Sequence, residues 1–293
     1  MPPGTSGLWI AYAYINDNLS VYNHDWCGRV SAQMHEIGHN YNLDHSGTVT
    51  GNEYGDRSGY MGISYPFDDL PIMCCNGPKS WQLGWYATRS VELNDITANG
   101  GGTTYVWTGT LVGISDYEQA TGDQYVLLKI KRHQMSTDLY VNFNRVSGIN
   151  SSSQANQDKV IVTQQGEDGG TSSVLTGLTV GQSYIESNFD NINENSNLAI
   201  KVEDIDYTSS VWTATVSITY GPGVTGSTLK SPPTNHLSLQ EKWNIELPNF
   251  VYDDDLGIQL DFNVSDYLNE QNVGFELYEE SDCETPIEYG KLI

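Results

Sequence analysis

The sequence predicts an α+β protein, with a helix-centred unit at the N-terminus, an antiparallel β-sandwich after it, and part of a third β module at the end. Three observations predict this. Val30, Met34, Ile37 and Tyr41 recur with 4, 3 and 4 spacing, the period of a helix with one apolar stripe. From about Val91 to Tyr220 the pattern changes to short alternating segments separated by turn residues. Residues 222–241 are then rich in Gly, Pro, Ser and Thr, the composition of a linker. The expected boundaries are 1–88 for the first unit, 89–221 for the sandwich, 222–241 for the linker and 242–293 for the partial module.

A chain of 293 residues exceeds one average domain and can bury a sizeable core. With 37 acidic against 13 basic residues its formal net charge is −24, which argues against nucleic acid and anionic membrane surfaces as partners. No run approaches the roughly 20 apolar residues of a membrane span. Residues 1–7 have neither the basic start nor the apolar core of a signal peptide. Cys27, Cys74, Cys75 and Cys283 permit several pairings. A bridge between adjacent Cys74 and Cys75 would be strained, so Cys27 with one of them is expected. Glycosylation triplets begin at Asn18, Asn150 and Asn263 and fit an extracellular address.

Taken in order, residues 7–15 are aromatic and β-branched and read as a strand. The helix is expected from about Gly28 to Tyr41, with the four stripe residues in the core. His35 and His39 are four apart on it, so they sit roughly 40° from each other, one turn apart on one face, where both can reach one metal ion. Glu36 then lies beside the metal rather than on it, where a general base is needed. His45 is off the helical repeat and can approach only if the chain turns sharply. Asn42 permits that turn, because Asn is the type after Gly that most readily takes the left-handed conformation ending helices. Three neutral nitrogens with an open position describe a catalytic zinc site, whereas structural sites are closed by four protein ligands. Residues 46–78 read as a long irregular loop, and loops of that length are usually functional. Pro78 starts a short helix through Gln82, from which Trp81 and Trp85 pack on the domain.

HExxH followed by His45 resembles the metzincin metallopeptidases, with Asn42 where most of them have Gly. Within that clan, HEIGHNYNLDHSG, YGDRSGYMG and KSWQLGWY are similar to the gametolysin family of secreted algal cell-wall-lysing proteases, over about residues 7 to 86. The resemblance implies a partial metzincin-like unit: an edge strand, the active-site helix, a Met-turn loop and a C-terminal helix. It implies Met61 as the Met-turn methionine under the zinc ligands. It implies Tyr65, four residues later, as a candidate transition-state stabiliser. The clan's preceding strands and first helix have no counterpart before residue 7. The chain therefore reads as N-terminally truncated, with a loosely packed catalytic unit that roughly 100 upstream residues would restore.

The sandwich strands are expected at TYVWTGTLV, QYVLLKIK, LYVNFNRV, DKVIVTQQ, SYIES, LAIKVED and VWTATVSITY, with His133 alone among them. The tail from Lys242 has room for about three strands. Asp253-Asp254-Asp255 makes Ca²⁺ a second candidate cofactor, although it lacks an EF-hand loop pattern. The expected function is zinc-dependent hydrolysis of extracellular or cell-wall proteins or glycoproteins, with Zn²⁺ on His35, His39 and His45 and Glu36 as base. The alternative is a zinc-bearing adhesion or matrix module that no longer turns over; oligomeric state is open.

Overall fold

The computed structural model describes residues 9–62, 73–94, 96, 104–132, 135–189, 196–222 and 224, with the strand backbone of 252–253, 257–258, 274–278 and 286–291. The chain divides into two compact units, Met1–Leu229 and Lys230–Ile293. The class is α+β, with sheets far outweighing helices among the described residues.

The first strand, β1 (Ala11–Ala13), pairs antiparallel with β2 (Ser20–Tyr22). The stretch read as a lone edge strand is thus one arm of a hairpin. Asn16 at φ 56° reverses the chain between the two arms. Helix α1 spans Val30–Asn40, two residues inside its expected start and one inside its expected end. The hairpin grips its C-terminal end, where Asn16 N donates to His39 O at 2.9 Å and Asn40 Nδ2 to the Tyr14 and Leu19 carbonyls.

The apolar stripe is not the buried face of α1. Met34, Ile37 and Tyr41 are 37%, 42% and 65% exposed, whereas Ser31, Ala32, His35, Glu36, Gly38 and His39 are buried. Small residues decide this. Ser31 and Ala32 are buried there, and Gly38 lets the following loop approach the helix closely, since a Cβ on it would overlap the Met61 sulfur. Close packing of that face outweighs the larger apolar area opposite.

After α1 the chain forms β3 (Ser46–Thr48) and, beyond the loop, α2 (Gly77–Leu83). Helix α2 is capped as its sequence directs. Asn76 Oδ1 accepts from Lys79 N, Pro78 sits in the first turn, and Gly84 ends the helix in the left-handed region at φ 69°. Gly62 is required by close approach, since a Cβ there would overlap the Asp56 backbone. The remaining strands are β4 (Ser90–Leu93), β5 (Tyr105–Val112), β6 (Gln124–Tyr125), β7 (Leu127–Ile130), β8 (Asp138–Phe143), β9 (Val160–Gln165), β10 (Ser172–Leu178), β11 (Ser183–Glu186), β12 (Ser196–Asp206) and β13 (Thr213–Pro222).

They form two sheets, β3-β10-β9-β8-β7-β4 and β11-β12-β13-β5-β6. The expected strand segments are all present, but the sandwich is mixed rather than antiparallel. The pairs β3–β10, β4–β7 and β5–β6 are parallel. Each involves a short edge strand laid down by a connection that the alternation pattern does not register. The faces meet through Val141, Phe143, Val160, Val162 and Leu178 on one side and Leu111, Leu198, Ile200, Val216 and Ile218 on the other, all essentially solvent-free. The alternate residues of β8 and β9 point to the opposite face, which α2 covers. There Trp81 meets Tyr140 at 6.2 Å between ring centroids, and a Cβ on Gly77 would press on Asn142. Strands β8 and β9 are therefore buried on both faces.

Several expectations are corrected. Cys27, Cys74 and Cys75 are free thiols. Their sulfurs have separate neighbours, the His24 carbonyl for Cys27 and the Ile149 carbonyl for Cys74. Asn150 is buried, donates to Asn144 Oδ1 and Arg145 O and accepts from Cys74 N, so its amide is not offered to a glycosylation enzyme. Trp85 is 60% exposed and does not share the packing of Trp81. Among the described residues the second unit has strands Tyr252–Asp253 with Gly257–Ile258 and Gly274–Tyr278 with Pro286–Lys291, four where about three were expected. Tyr65, His133, Asp254, Asp255, Asn263 and Cys283 lie outside the described residues.

Candidate metal centre

Helix α1 ends in a turn that determines where the third imidazole goes. Asn42 stands at φ 65°, Asn42 N donates to His39 O at 2.9 Å, and Leu43 N donates to Gly38 O at 3.0 Å. This pair of bonds, with Leu43 packed over Gly38, is a Schellman motif. It folds the chain back across the last turn, so that Leu43 O comes to accept from His39 Nδ1 at 2.7 Å. Two residues later His45 faces the helix. An Asn42→Gly chain is expected to keep its metal affinity. Asn42→Val should lose about tenfold, because a left-handed β-branched residue costs about 1–2 kcal/mol. Equal affinities from chelator competition would place the controlling turn elsewhere.

His35, His39 and His45 converge. Their ring centroids are 4.8, 5.4 and 4.9 Å apart, and one ligand nitrogen from each lies within 4.8 Å of the others. Among the described residues this is the one group of three such side chains drawn together. The Nδ1 of His35 lies 2.8 Å from the Tyr60 carbonyl, as that of His39 does from Leu43 O. Each carbonyl can only accept, so both rings carry the proton on Nδ1 and present a bare Nε2. His45 Nδ1 is 3.5 Å from Glu53 Oε1. Beneath the helix, Met61 is buried against Gly38.

Glu36 is 4% exposed and its Oε2 has no hydrogen-bond partner. Burial pushes its pKa up to about 7. A buried, unpartnered carboxyl beside three imidazoles fits a centre that a cation and a water molecule would complete. Burial also lowers the histidines, His35 to about 3 with help from neighbouring His39, and His39 and His45 in the same direction. Neutral imidazole is the form that binds metal.

These shifts make the metal-free protein acid-sensitive. Each imidazole has a folded pKa below its ordinary 6.5, so the stability it contributes is present above 6.5 and is lost as pH falls through the folded value. Glu36 has the opposite sign, contributing fully below its ordinary 4.5 and losing that contribution as pH rises through about 7. Three groups oppose one. The unfolding midpoint of metal-free protein is expected to fall between pH 7 and pH 5, and a midpoint that rises over this interval would contradict the neutral, buried triad.

The structure also brings in residues that sequence reasoning missed. Tyr54 lies with its ring centroid 4.3 Å from that of His45 and 6.1 Å from that of His35. Burial, then the neighbouring Glu53, push its pKa up to about 12, so it remains a protonated phenol. Nothing in Gly51-Asn52-Glu53-Tyr54-Gly55 marks it, since its position depends on the return of the chain after β3.

Three imidazoles with a buried carboxyl beside them are residue types that metallohydrolase centres use. A family model described as gametolysin peptidase M11 matches residues 1–166, more than half of the chain. The chain belongs to the gametolysin peptidase family. The match runs past the similarity read from the motifs, through β4–β9 of the sandwich. The chain is also 33% identical over 90 residues to a protein named autolysin from Chlamydomonas reinhardtii, an alignment covering 29% of this chain and 14% of that one. It thus spans a small part of that relative's length. No solved structure matches it. No helix among the described residues is long and apolar enough to cross a membrane.

Proposed function

We propose that this chain carries the active centre of a zinc metalloendopeptidase. The observation that carries the reading is the convergence of His35, His39 and His45 beside the unpartnered Glu36 carboxyl, in a member of a peptidase family. The three imidazoles hold the ion, His35 and His39 through the Nε2 left bare by their Nδ1 bonds. Bound zinc would supply Lewis acidity, lowering the pKa of a water toward 7 and polarising the scissile carbonyl.

Glu36 takes the proton of the attacking water. With its pKa near neutrality it can hold that proton and return it to the leaving amine, and no covalent bond to the enzyme forms. Met61, which packs against Gly38 next to His39 in sequence, is the residue we assign to the Met-turn. Tyr54 is a donor we assign to the carbonyl oxygen as negative charge develops, because its phenol stays protonated next to the His45 ring. The substrate is an extracellular or cell-wall protein or glycoprotein, and the protein is secreted. This part of the reading follows the family resemblance, and the acidic surface favours neutral or basic segments. Elemental analysis should find one zinc per chain, and a chelator should remove both the metal and peptide cleavage. Cleavage that persists in metal-free protein would overturn the reading.

A further inference from the structure

We infer that the turn between β9 and β10, residues 166–171, and the inner side of α2 form a clasp that positions His45. The sandwich is then part of the metal centre, from more than 120 residues downstream. The inference rests on the reading of His45 as a metal ligand.

His45 is the ligand that the helix does not hold. His35 and His39 are fixed by α1, whereas His45 lies in the three residues between the Asn42 turn and β3. Beside the bonds that tie Asn42 and Leu43 to α1 and His45 N to Asp44 Oδ1, several anchors of that stretch run to the clasp. At its start, Gln82 Nε2 donates to Asn42 O at 2.6 Å, and Gln82 Oε1 accepts from Gly169 N at 3.0 Å and Gln165 Nε2 at 3.3 Å. Gly169, at φ 83°, lies so close that a Cβ there would press on the Asn42 amide at 2.9 Å. Thr171 Oγ1 donates to Asp44 Oδ2 at 2.8 Å, and Ser172 N donates to His45 O itself at 3.0 Å. The parallel pairing of β3 with β10 continues the same register from Ser46 opposite Ser172.

A second layer holds the clasp to α2. Lys79, fully buried, donates from Nζ to Gly170 O at 2.6 Å. Asn76 Nδ2 lies within bonding distance of Ser46 Oγ, Ser172 Oγ and Asp56 Oδ2, joining loop, strand and helix at one point. Bonds that orient metal ligands from behind typically change metal affinity by about 10–100-fold when removed. Those acting on His35 and His39 come from carbonyls of the first unit's own loop. The bond to the His45 carbonyl comes from the sandwich.

The test uses the full chain with zinc alone, measured by chelator competition, and cobalt as a spectroscopic stand-in. Thr171→Val and Gln82→Glu should each weaken zinc binding by about tenfold. The first loses the hydroxyl donor, and the second keeps the acceptor for Gly169 N but loses the donor to Asn42 O. Thr171→Ser, which keeps the hydroxyl, should restore wild-type affinity and the cobalt d–d spectrum. In a His45→Ala background, where two imidazoles remain, Thr171→Val should leave the residual affinity unchanged. A general loss of structural stability would not show that dependence on His45. Equal losses with and without His45, or wild-type affinity in Thr171→Val and Gln82→Glu, would overturn the clasp while leaving the metal site standing. A wild-type chain that takes up no zinc overturns the metal reading and the clasp with it.

Discussion

A Glu36→Gln chain is expected to bind zinc as the wild type does and to lose at least about 100-fold in peptide hydrolysis, since general acid–base catalysis contributes about 10²–10⁴-fold. Gln matches Glu in shape but cannot take or return a proton. The carboxyl it replaces has an unpartnered Oε2, so the substitution removes no observed bond at that atom. It also leaves the three imidazoles and their Tyr60 and Leu43 carbonyl partners in place. The loss should therefore fall on kcat, with KM and metal content near wild type. Steady-state kinetics on a protein substrate, with zinc measured in the same samples, decides the matter. Activity within tenfold of wild type would remove Glu36 from its role. Equal inactivity of both proteins, with zinc bound, would favour the zinc-bearing adhesion module over the protease.

The candidate site was legible wherever one local rule governs position. A spacing of four puts His35 and His39 on one helical face, and the preference of Asn for the left-handed region places the turn at Asn42, as its φ of 65° bears out. The long strands were legible because their alternation survives burial between two sheets. What stayed hidden depends on partners distant in sequence. Ser46-Gly47-Thr48 has no apolar alternation and is a strand only because β10 lies alongside it. The stripe of α1 misled because the period of a helix reports that one face is apolar, not that this face is covered. The face that is packed instead is the one where Gly38 admits Met61 and Leu43 closely. Tyr54 and the Asn76 junction carry no motif, since each becomes functional only when the loop closes on the sheet.

Residues 1–88 alone are expected not to fold, although every proposed zinc ligand lies within them. Cutting there removes β10, the strand paired with β3, and the sheet face against which α2 lies. Trp81 and Tyr86 would lose apolar cover, at roughly 1.5–3 kcal/mol for each large side chain. Lys79, Asn76 and Ser46, all buried, would lose partners in residues 170–172, at about 1–3 kcal/mol for each polar group left unsatisfied. The sum is comparable with the whole stability of a typical domain, about 5–15 kcal/mol. Residues 1–229, the compact unit to which these elements belong, should instead fold cooperatively and bind zinc. In that fragment hydrogen exchange should protect residues 30–40 as it does β8 and β9, because the Asn76 junction and the Gln82 bonds couple helix, loop and sheet. Circular dichroism and zinc titration of the two fragments make the comparison. A cooperative unfolding transition in 1–88 with wild-type zinc affinity would show that the catalytic unit is autonomous and that the sandwich only accompanies it.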